Sequence, residues 1–434
     1  MGDQVSVSAL VACLLEPQHD LAACAETLRS KRVLVRADLN VPLRPDGTVA
    51  DATRIDAALA TVKLLAGAGA RVFVASHLGR PEPGKESAEE MRRRDSLRPV
   101  AAVLREALGD ATFLGLADDC TGPSARALVG RLQDGQVCLL ENTRFDARDV
   151  ADDDSLAQEL ASLCDAYVLD GFGVSHRAQA SVSGVARHMP LAARFPGLLV
   201  RSELQYLTAA LDAPTRPFGV IMGGMKVRDK LGVLWALIDK ADVLMVGGKM
   251  AFTFLASRGV AVGATQIEAD FLDAARGIEA AAASKGVRLL LPCDVLTSAS
   301  PDEPVDVRVT PLTSKCCTAD SPCLPAGSFG MDIGPETADS FASAIAGCRT
   351  LLWNGPMGRF EVPAFGRGTD RIMHALADAH AAGAVVVAAG GDSVSALNAA
   401  GLAQRVTHVS TGGGASLQLL EGKAMPGLQL LIGS

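Results

Sequence analysis

With 434 residues, 49% apolar and 21% charged, the chain is long enough for two or three folded domains, and it is not a disordered protein. A formal charge of −8 argues against a broad grip on a nucleic-acid backbone, so any basic cluster is local and sized for a small anion. No run of ~20 apolar residues exists to span a membrane, and the ten scattered cysteines read as free thiols in a reducing compartment, expected to be the cytoplasm, with an organelle left open.

The first 25 residues form an extension of unassigned role. Val5–Leu15 is mildly apolar, but Asp3 precedes it, Glu16 and Asp20 follow it, and no Lys or Arg occurs before Arg29. That pattern argues against a secretory signal and against an Arg-rich transit peptide. From there on, short Val/Leu/Ile runs predict strands at Arg32–Val35, Arg71–Ala75, Val137–Leu140, Ala166–Leu169, Phe218–Met222, Val243–Val246, Val287–Leu291, Thr350–Leu352 and Ala384–Ala388. Between them, helical spacing predicts helices that include Arg54–Ala66, Ser155–Leu163, Val227–Ile238 and Thr369–Ala381. Near-continuous apolar strands alternating with helices mean parallel sheets covered on both faces. The fold class expected is α/β, with two doubly wound, Rossmann-like parallel-sheet domains joined by a hinge helix. Pro190, Pro196 and Pro214 punctuate the boundary region, and Leu199–Leu211 reads as the connecting helix. The expected domains are 1–198, a hinge at 199–215, and 216–416. Ser298–Gly327 reads as a loop or a short antiparallel excursion.

In open parallel sheets, ligands bind beyond the carboxyl ends of the strands. In the first half those ends lead into Asp38 and Asn40, into His77 and Arg80, into Arg144, and into Arg177, with Arg54 at the start of the first helix. A single arginine there is usually a surface ion pair. Several strand ends delivering Arg and His to one face imply a small ligand with several negative charges, because guanidinium forks match phosphate and carboxylate oxygens. In the second half the same positions carry Gly223-Gly224-Met225-Lys226, Gly247-Gly248-Lys249, Asn354-Gly355-Pro356, Gly390-Gly391-Asp392-Ser393 and Gly412-Gly413-Gly414. Glycine at strand-to-helix turns lets backbone N–H groups approach a phosphate. Five such turns, with Lys226, Lys230 and Asp392, point to a nucleotide and a Mg²⁺ ion, which usually takes one or two carboxylates plus phosphate oxygens. Neither a P-loop nor a complete dinucleotide fingerprint occurs, and His176, His374, His380 and His408 read as structural or solvated.

The motifs Arg36–Pro42, Asp51–Arg54, Ser76–Pro81, Leu140–Phe145, Asp170–Arg177, Gly223–Lys230, Gly247–Phe254, Asp332–Pro335, Trp353–Glu361, Gly390–Val394 and Ser410–Lys423 resemble, in order, those of phosphoglycerate kinase. The resemblance runs from about Lys31 to the C-terminus. It implies a reversible phosphoryl transfer between 1,3-bisphosphoglycerate with ADP and 3-phosphoglycerate with ATP, as in glycolysis or carbon fixation, by a monomer that needs neither nucleic acid nor membrane. It implies that Asp38, Asn40, Arg54, His77, Arg80, Arg144 and Arg177 hold the phosphoglycerate. Gly224, Lys226, Lys230, Gly391, Asp392 and Ser393 would serve the nucleotide phosphates, with Asp392 on Mg²⁺. Gly248, Gly330, Asn354, Pro356 and Glu361 would line the nucleoside pocket. The family's C-terminal tail, carried over to 417–434, returns to the first domain. This chain departs from the family pattern at Lys249, where a third glycine is common, and at Gly171, Gln179, Ser202 and Ala389. Lys249 either crowds the nucleoside pocket or reaches the phosphates. Cys316, Cys317 and Cys323, with Cys293, carry three readings: a plain loop, a redox-sensitive pair, or a metal site.

A carboxylate acceptor with a pKa of ~4 is already ionised at neutral pH, so the reaction needs no general base. Catalysis is then positioning plus charge stabilisation. The expected donors are Arg54 and Lys226, with backbone N–H groups at Gly390 and Gly413. The two ligand sets fall in different domains, so closure around both substrates is expected. Two other readings stay open: a non-catalytic scaffold of the same fold, and a kinase with altered nucleotide choice.

Overall fold

The computed structural model describes residues 6–212, 214–312 and 324–433. The chain divides into two compact units, residues 1–205 with 422–434, and residues 206–421. The division falls inside the helix Leu198–Asp212, which starts directly after Pro196-Gly197. The helix Gly414–Leu420 belongs to the second unit, so the segment grouped with the first begins at Gly422 and not at Leu417.

The first unit is built on six parallel strands: β1 (Arg32–Arg36), β2 (Arg71–Ala75), β3 (Phe113–Leu116), β4 (Val137–Leu139), β5 (Ala166–Leu169) and β6 (Arg194–Pro196), in the order β3-β4-β2-β1-β5-β6. The inner strands are buried along nearly their whole length, which is why they read as unbroken apolar runs. The helix Thr53–Gly67 buries Ile55, Ala58, Leu59, Val62 and Leu65, one stripe at helical spacing, against this sheet. The chain leaves β1 toward β2 on one side, and leaves β5 toward β6 on the other. The crevice at the carboxyl ends of β1 and β5 is therefore the topological switch point of this sheet.

The N-terminal extension packs on the first unit. Its helix Val7–Leu14, capped by the Ser6 hydroxyl, buries Leu10, Val11 and Leu14. Arg201 donates to the carbonyls of Leu14 (3.1 Å) and Leu15 (2.7 Å).

The second unit repeats the plan with β7 (Phe218–Met222), β8 (Val243–Val246), β9 (Arg288–Leu290), β13 (Thr350–Asn354), β14 (Val385–Ala389) and β15 (His408–Val409), in the order β15-β14-β13-β7-β8-β9. Its switch point lies between β7 and β13. Between β9 and β13 a three-stranded antiparallel sheet is inserted: β10 (Asp294–Ser298), β11 (Arg308–Pro311) and β12 (Phe329–Ile333). The expected excursion at 298–327 thus contains β11, an edge strand paired antiparallel with β10. Cys316, Cys317 and Cys323 lie outside the described residues.

Three of the parallel strands escape the apolar-run reading. β3 is mostly half-buried, β6 has three residues and β15 two. All three are edge strands, where one side meets less core and the run shortens. The helix expected over Val227–Ile238 begins only at Leu231, because Val227–Lys230 forms a turn.

Candidate active site

At the switch point of the first sheet, side chains tie three loops together. Asp38 follows β1 and is 8% exposed; it accepts from Arg54 Nη1 at 2.5 Å. Asn40 Oδ1 accepts the Gly79 N–H (2.8 Å), and the Gly79 carbonyl accepts Arg144 Nη1 (2.8 Å). Asn142 Nδ2 donates to Leu78 O (2.7 Å), which holds the loop bearing Arg144 against the loop bearing His77 and Arg80. Gly171 must stay small there: a Cβ would meet Ala37 C and Asp38 N, each at 3.1 Å.

The charges confirm that these groups share one field. Burial pushes His77 down to about 3; Asp38 opposes this, and Arg36, Arg144 and Arg177 add to it. His77 is therefore neutral at physiological pH and acts as a hydrogen-bonding group. Burial and the neighbouring Arg177 and Arg36 push Arg144 down to about 10. Burial opposes ionisation of Asp38, yet the guanidiniums of Arg54 and Arg36 hold its carboxyl below the usual range. Asp38 is the sole carboxylate in ion-pair reach of any of Arg36, Arg54, Arg80, Arg144 and Arg177 among the described residues. Arg144 Nε and His176 Nδ1 are buried without a partner. An anion with several oxygens satisfies these requirements. The structure brings Asp38, Asn40, Arg54, His77, Arg144 and Arg177 together. Arg80 sits exposed on the loop after β2 and makes no hydrogen bond among the described residues.

Sequence reasoning left two participants without a role. Arg36 is fully buried, donating to Ser181 Oγ (2.9 Å) and the Ala37 carbonyl and lying 3.5 Å from His77 Nδ1. Its position at the last residue of an apolar run was the available signal. His176, read as structural, lies beside Arg177, and burial followed by that guanidinium lowers its pKa.

At the second switch point, glycine turns stack backbone on backbone. Gly223 N donates to Asn354 O (2.9 Å), Gly224 N to Pro356 O (2.9 Å), and Gly248 N to Met357 O (3.0 Å). Gly248 has φ +64°, and a Cβ there would lie 2.5 Å from Gly224 N, so only glycine fits. These turns form one wall of a cavity of about 620 Å³, lined also by Lys249, Phe252, Gly330, Pro356, Glu361 and Asp392.

Beside it, Gly390 (φ +94°) and Gly413 (φ +54°) directly precede the helices Gly391–Ala399 and Gly414–Leu420. Ser393 Oγ accepts the Gly355 N–H (2.6 Å). Asn354 is fully buried with both amide atoms unpartnered. Burial pushes Lys230 down to about 8, against the opposing pull of Asp392 and Asp229. Lys226 is exposed on the turn before it. That turn is held by Glu268, missed by sequence reasoning, which accepts the Val227 N–H and Arg228 Nε (2.8 Å). Nothing in the sequence around Glu268 marks this role. Asn354, Lys226, Lys230, Gly390, Gly391, Ser393 and Gly413 do not line the cavity itself; they surround the carboxyl ends of the same sheet.

A model of the family described as phosphoglycerate kinase matches residues 24–423. The chain belongs to the phosphoglycerate kinase family. It is 48% identical over 404 residues to the phosphoglycerate kinase of Acaryochloris marina (strain MBIC 11017), covering 93% of this chain and 96% of that protein. It is 46% identical over 407 residues to that of Synechococcus sp. (strain JA-3-3Ab), with coverage of 93% and 96%. Among solved structures, the phosphoglycerate kinase of Coxiella burnetii superposes with a TM-score of 0.79 at 37% identity, covering 93% of this chain and 96% of that one. That of Pyrococcus horikoshii OT3 gives 0.77 at 29% identity with the same coverage. The activity of this family member is a phosphotransfer. No described helix is long and apolar enough to cross a membrane.

Proposed function

We propose that the first unit binds 3-phosphoglycerate or 1,3-bisphosphoglycerate, the second binds ATP or ADP, and the chain moves one phosphoryl group between them. The observation that carries this reading is the arginine set at the end of β1 and β5, with Asp38 as its one paired carboxylate. Arg54, His77, Arg80, Arg144 and Arg177 are the proposed anion contacts, and Asp38 and Asn40 orient Arg54 and the substrate hydroxyl.

In the second unit the base and ribose enter the cavity along Gly224, Gly248, Gly330, Pro356 and Glu361, and Asn354 sits buried behind it at the end of β13. Lys226, Lys230, Gly391, Asp392 and Ser393 face the phosphates. A Mg²⁺ ion fits this set: Asp392 supplies one exposed carboxylate at a helix start, and phosphate oxygens supply other ligands. When bound, it neutralises phosphate charge.

The substrate carboxylate is ionised at neutral pH and needs no base. One of its oxygens forms a bond to the γ-phosphorus as the bond from that phosphorus to the bridging oxygen breaks, leaving ADP. Arg54 and Lys226 stabilise the charge on the equatorial oxygens, and backbone N–H groups at Gly390 and Gly413 add fixed dipoles. Because the two ligand sets lie in different units, we propose that both substrates together drive the units to close and exclude water. We further place the reaction in a cytoplasmic monomer; the thiols of Cys13, Cys24, Cys120, Cys138, Cys164, Cys293 and Cys348 are all free, as a reducing compartment requires.

The deciding experiment is a coupled assay with 3-phosphoglycerate and MgATP. Turnover is expected with 3-phosphoglycerate and not with unphosphorylated glycerate. Absence of turnover would refute the reading. Small-angle scattering with each substrate and with both tests closure: compaction is expected only with both.

A further inference from the structure

One buried carboxylate of the second unit has no part in the reaction described above. Asp332 lies on β12, two residues after Gly330; it is 2% exposed and stands outside the cavity lining. Its Oδ1 accepts the Ile333 N–H (2.8 Å), and its Oδ2 accepts the Gly368 N–H (2.7 Å) from the first turn of the helix Arg367–Ala381. Among the described residues no Lys, Arg or His forms an ion pair with it. Burial pushes the carboxyl up to about 7, and the Gly368 and Ile333 N–H groups pull the other way. Burying a carboxylate without a cation costs stability, and a small apolar side chain would fill the same space without that cost. What the carboxylate alone supplies is a pair of acceptors at a fixed point. Three pieces of the cavity wall meet at that point. β12 carries Gly330 and Met331. In its pairing with β10, Thr297 faces Gly330 and Leu296 faces Asp332, so Met331 is skipped, and the Met331 carbonyl accepts the Arg359 N–H (3.0 Å). The loop Pro356–Arg359 is tied to the helix through the Met357 N–H, which donates to Thr369 Oγ1 (3.0 Å). A Cβ at Gly358 or at Gly368 would run into Asp332 Oδ1, so the carboxylate fills the gap between loop and helix. Gly330, Met331 and all four residues of that loop line the cavity.

Resting on the assignment of this cavity to a nucleoside, we infer that Asp332 is a positioning residue for the nucleotide: from behind the lining it ties β12 to the helix Arg367–Ala381 and so sets the spacing between the Gly330 wall and the Pro356–Arg359 wall. Its negative charge sits at the positive end of that helix, and each carboxylate oxygen holds one N–H. An asparagine of the same shape must turn its amide NH₂ toward one of these donors, and donor facing donor releases that tie. The walls then hold the nucleoside less well, while the groups around the transferred phosphoryl keep their places. A loss of that kind weakens binding equally in the ground state and the transition state, which raises KM and leaves kcat unchanged.

The test uses the full chain at about pH 8, where Asp332 is largely ionised. It compares the wild type with Asp332→Asn and with Gly368→Ala, which keeps the carboxylate and displaces it. In both variants KM for MgATP and the calorimetric Kd for ADP are expected to rise about tenfold, the size of one hydrogen bond to a charged group. The wild-type values of kcat, of KM for 3-phosphoglycerate and of inhibition by inorganic tripolyphosphate are expected to persist. A lower Tm with unchanged KM and Kd would overturn the inference, because a purely structural role gives that pattern. So would a loss shared by tripolyphosphate, which carries no nucleoside, or the failure of both variants to fold. A wild-type chain that binds no ADP removes the nucleoside assignment itself, and the inference with it. ADP binding that weakens in both variants, in a chain that turns over no nucleotide, supports the positioning role and removes only the kinase assignment.

Discussion

Replacing Arg54 by methionine separates what this arginine does for the fold from what it does for the reaction. Arg54 Nη1 lies 2.5 Å from Asp38 Oδ2, and the two side chains are 34% and 8% exposed. Breaking a fully buried pair costs about 3–5 kcal/mol because a charge is left without its partner. Here a third of Arg54 faces water, and the Arg36 guanidinium stays beside Asp38, so the loss should be about 1–2 kcal/mol. For a unit of roughly 150–250 residues, each kcal/mol moves Tm by roughly 2–4 °C, so the first unit should melt about 2–8 °C lower. Turnover should fall by about 10²–10³, the usual cost of one donor at a developing negative charge. The double variant Arg54→Met/Asp38→Asn removes the stranded carboxylate. It should recover most of the lost Tm and none of the lost turnover. Calorimetry and the coupled assay, run on the same preparations, read the two effects. Near-normal turnover in the single variant, or recovered turnover in the double, would refute the assignment of Arg54 to the reaction.

Lys230 titrates near 8 in the free protein because burial disfavours its charged form, and nucleotide phosphates should raise that value. Binding of MgADP at pH 8 is therefore expected to take up protons, seen as a buffer-dependent enthalpy by titration calorimetry and lost in Lys230→Met. A Cβ at Gly330 would run into the Phe252 ring, so Gly330→Ala should cost about 1–3 kcal/mol of stability and raise KM for the nucleotide, leaving KM for 3-phosphoglycerate unchanged. Asp170 is raised to about 7 by burial, with the Leu199 N–H pulling the other way. A raised carboxyl stabilises the fold fully below its unfolded value near 4, and that contribution is lost as pH climbs through about 7. Relative to the wild type, Asp170→Asn should gain stability between pH 4 and 7 and level off above, measured by chemical denaturation; a constant difference across that range would contradict the raised value.

Most of the frame was legible because the inner strands of parallel sheets are buried on both faces. Arg71–Ala75, Ala166–Leu169, Phe218–Met222 and Val243–Val246 begin and end where their apolar runs do. The residues directly after those runs were also legible as site candidates, since a strand's carboxyl end is a place the chain itself marks. The misses have separate causes. β3, β6 and β15 are short edges, β3 interrupted by Gly115 and only half-buried, and the turn Val227–Lys230 was counted as helix because Val227 and Leu231 share a helical spacing. Arg36 looked like the end of a strand, and only its contacts with Ser181 and His77 show a buried cation in the anion site.

By itself the order of residues determined the α/β class, the alternation of strand and helix, and the two unlike sets of loop ends, arginine-bearing in the first half and glycine-bearing in the second. Those features are local, set by burial periodicity and by the backbone freedom of glycine. Tertiary structure alone decided the strand order, and with it the two switch points where the loops meet. It also decided the contacts between residues distant in the chain: Arg36 with Ser181, Glu268 with the Val227 turn, and Lys249 with Gln266. Such pairings depend on how whole sheets pack, a long-range outcome that no window of neighbouring residues contains.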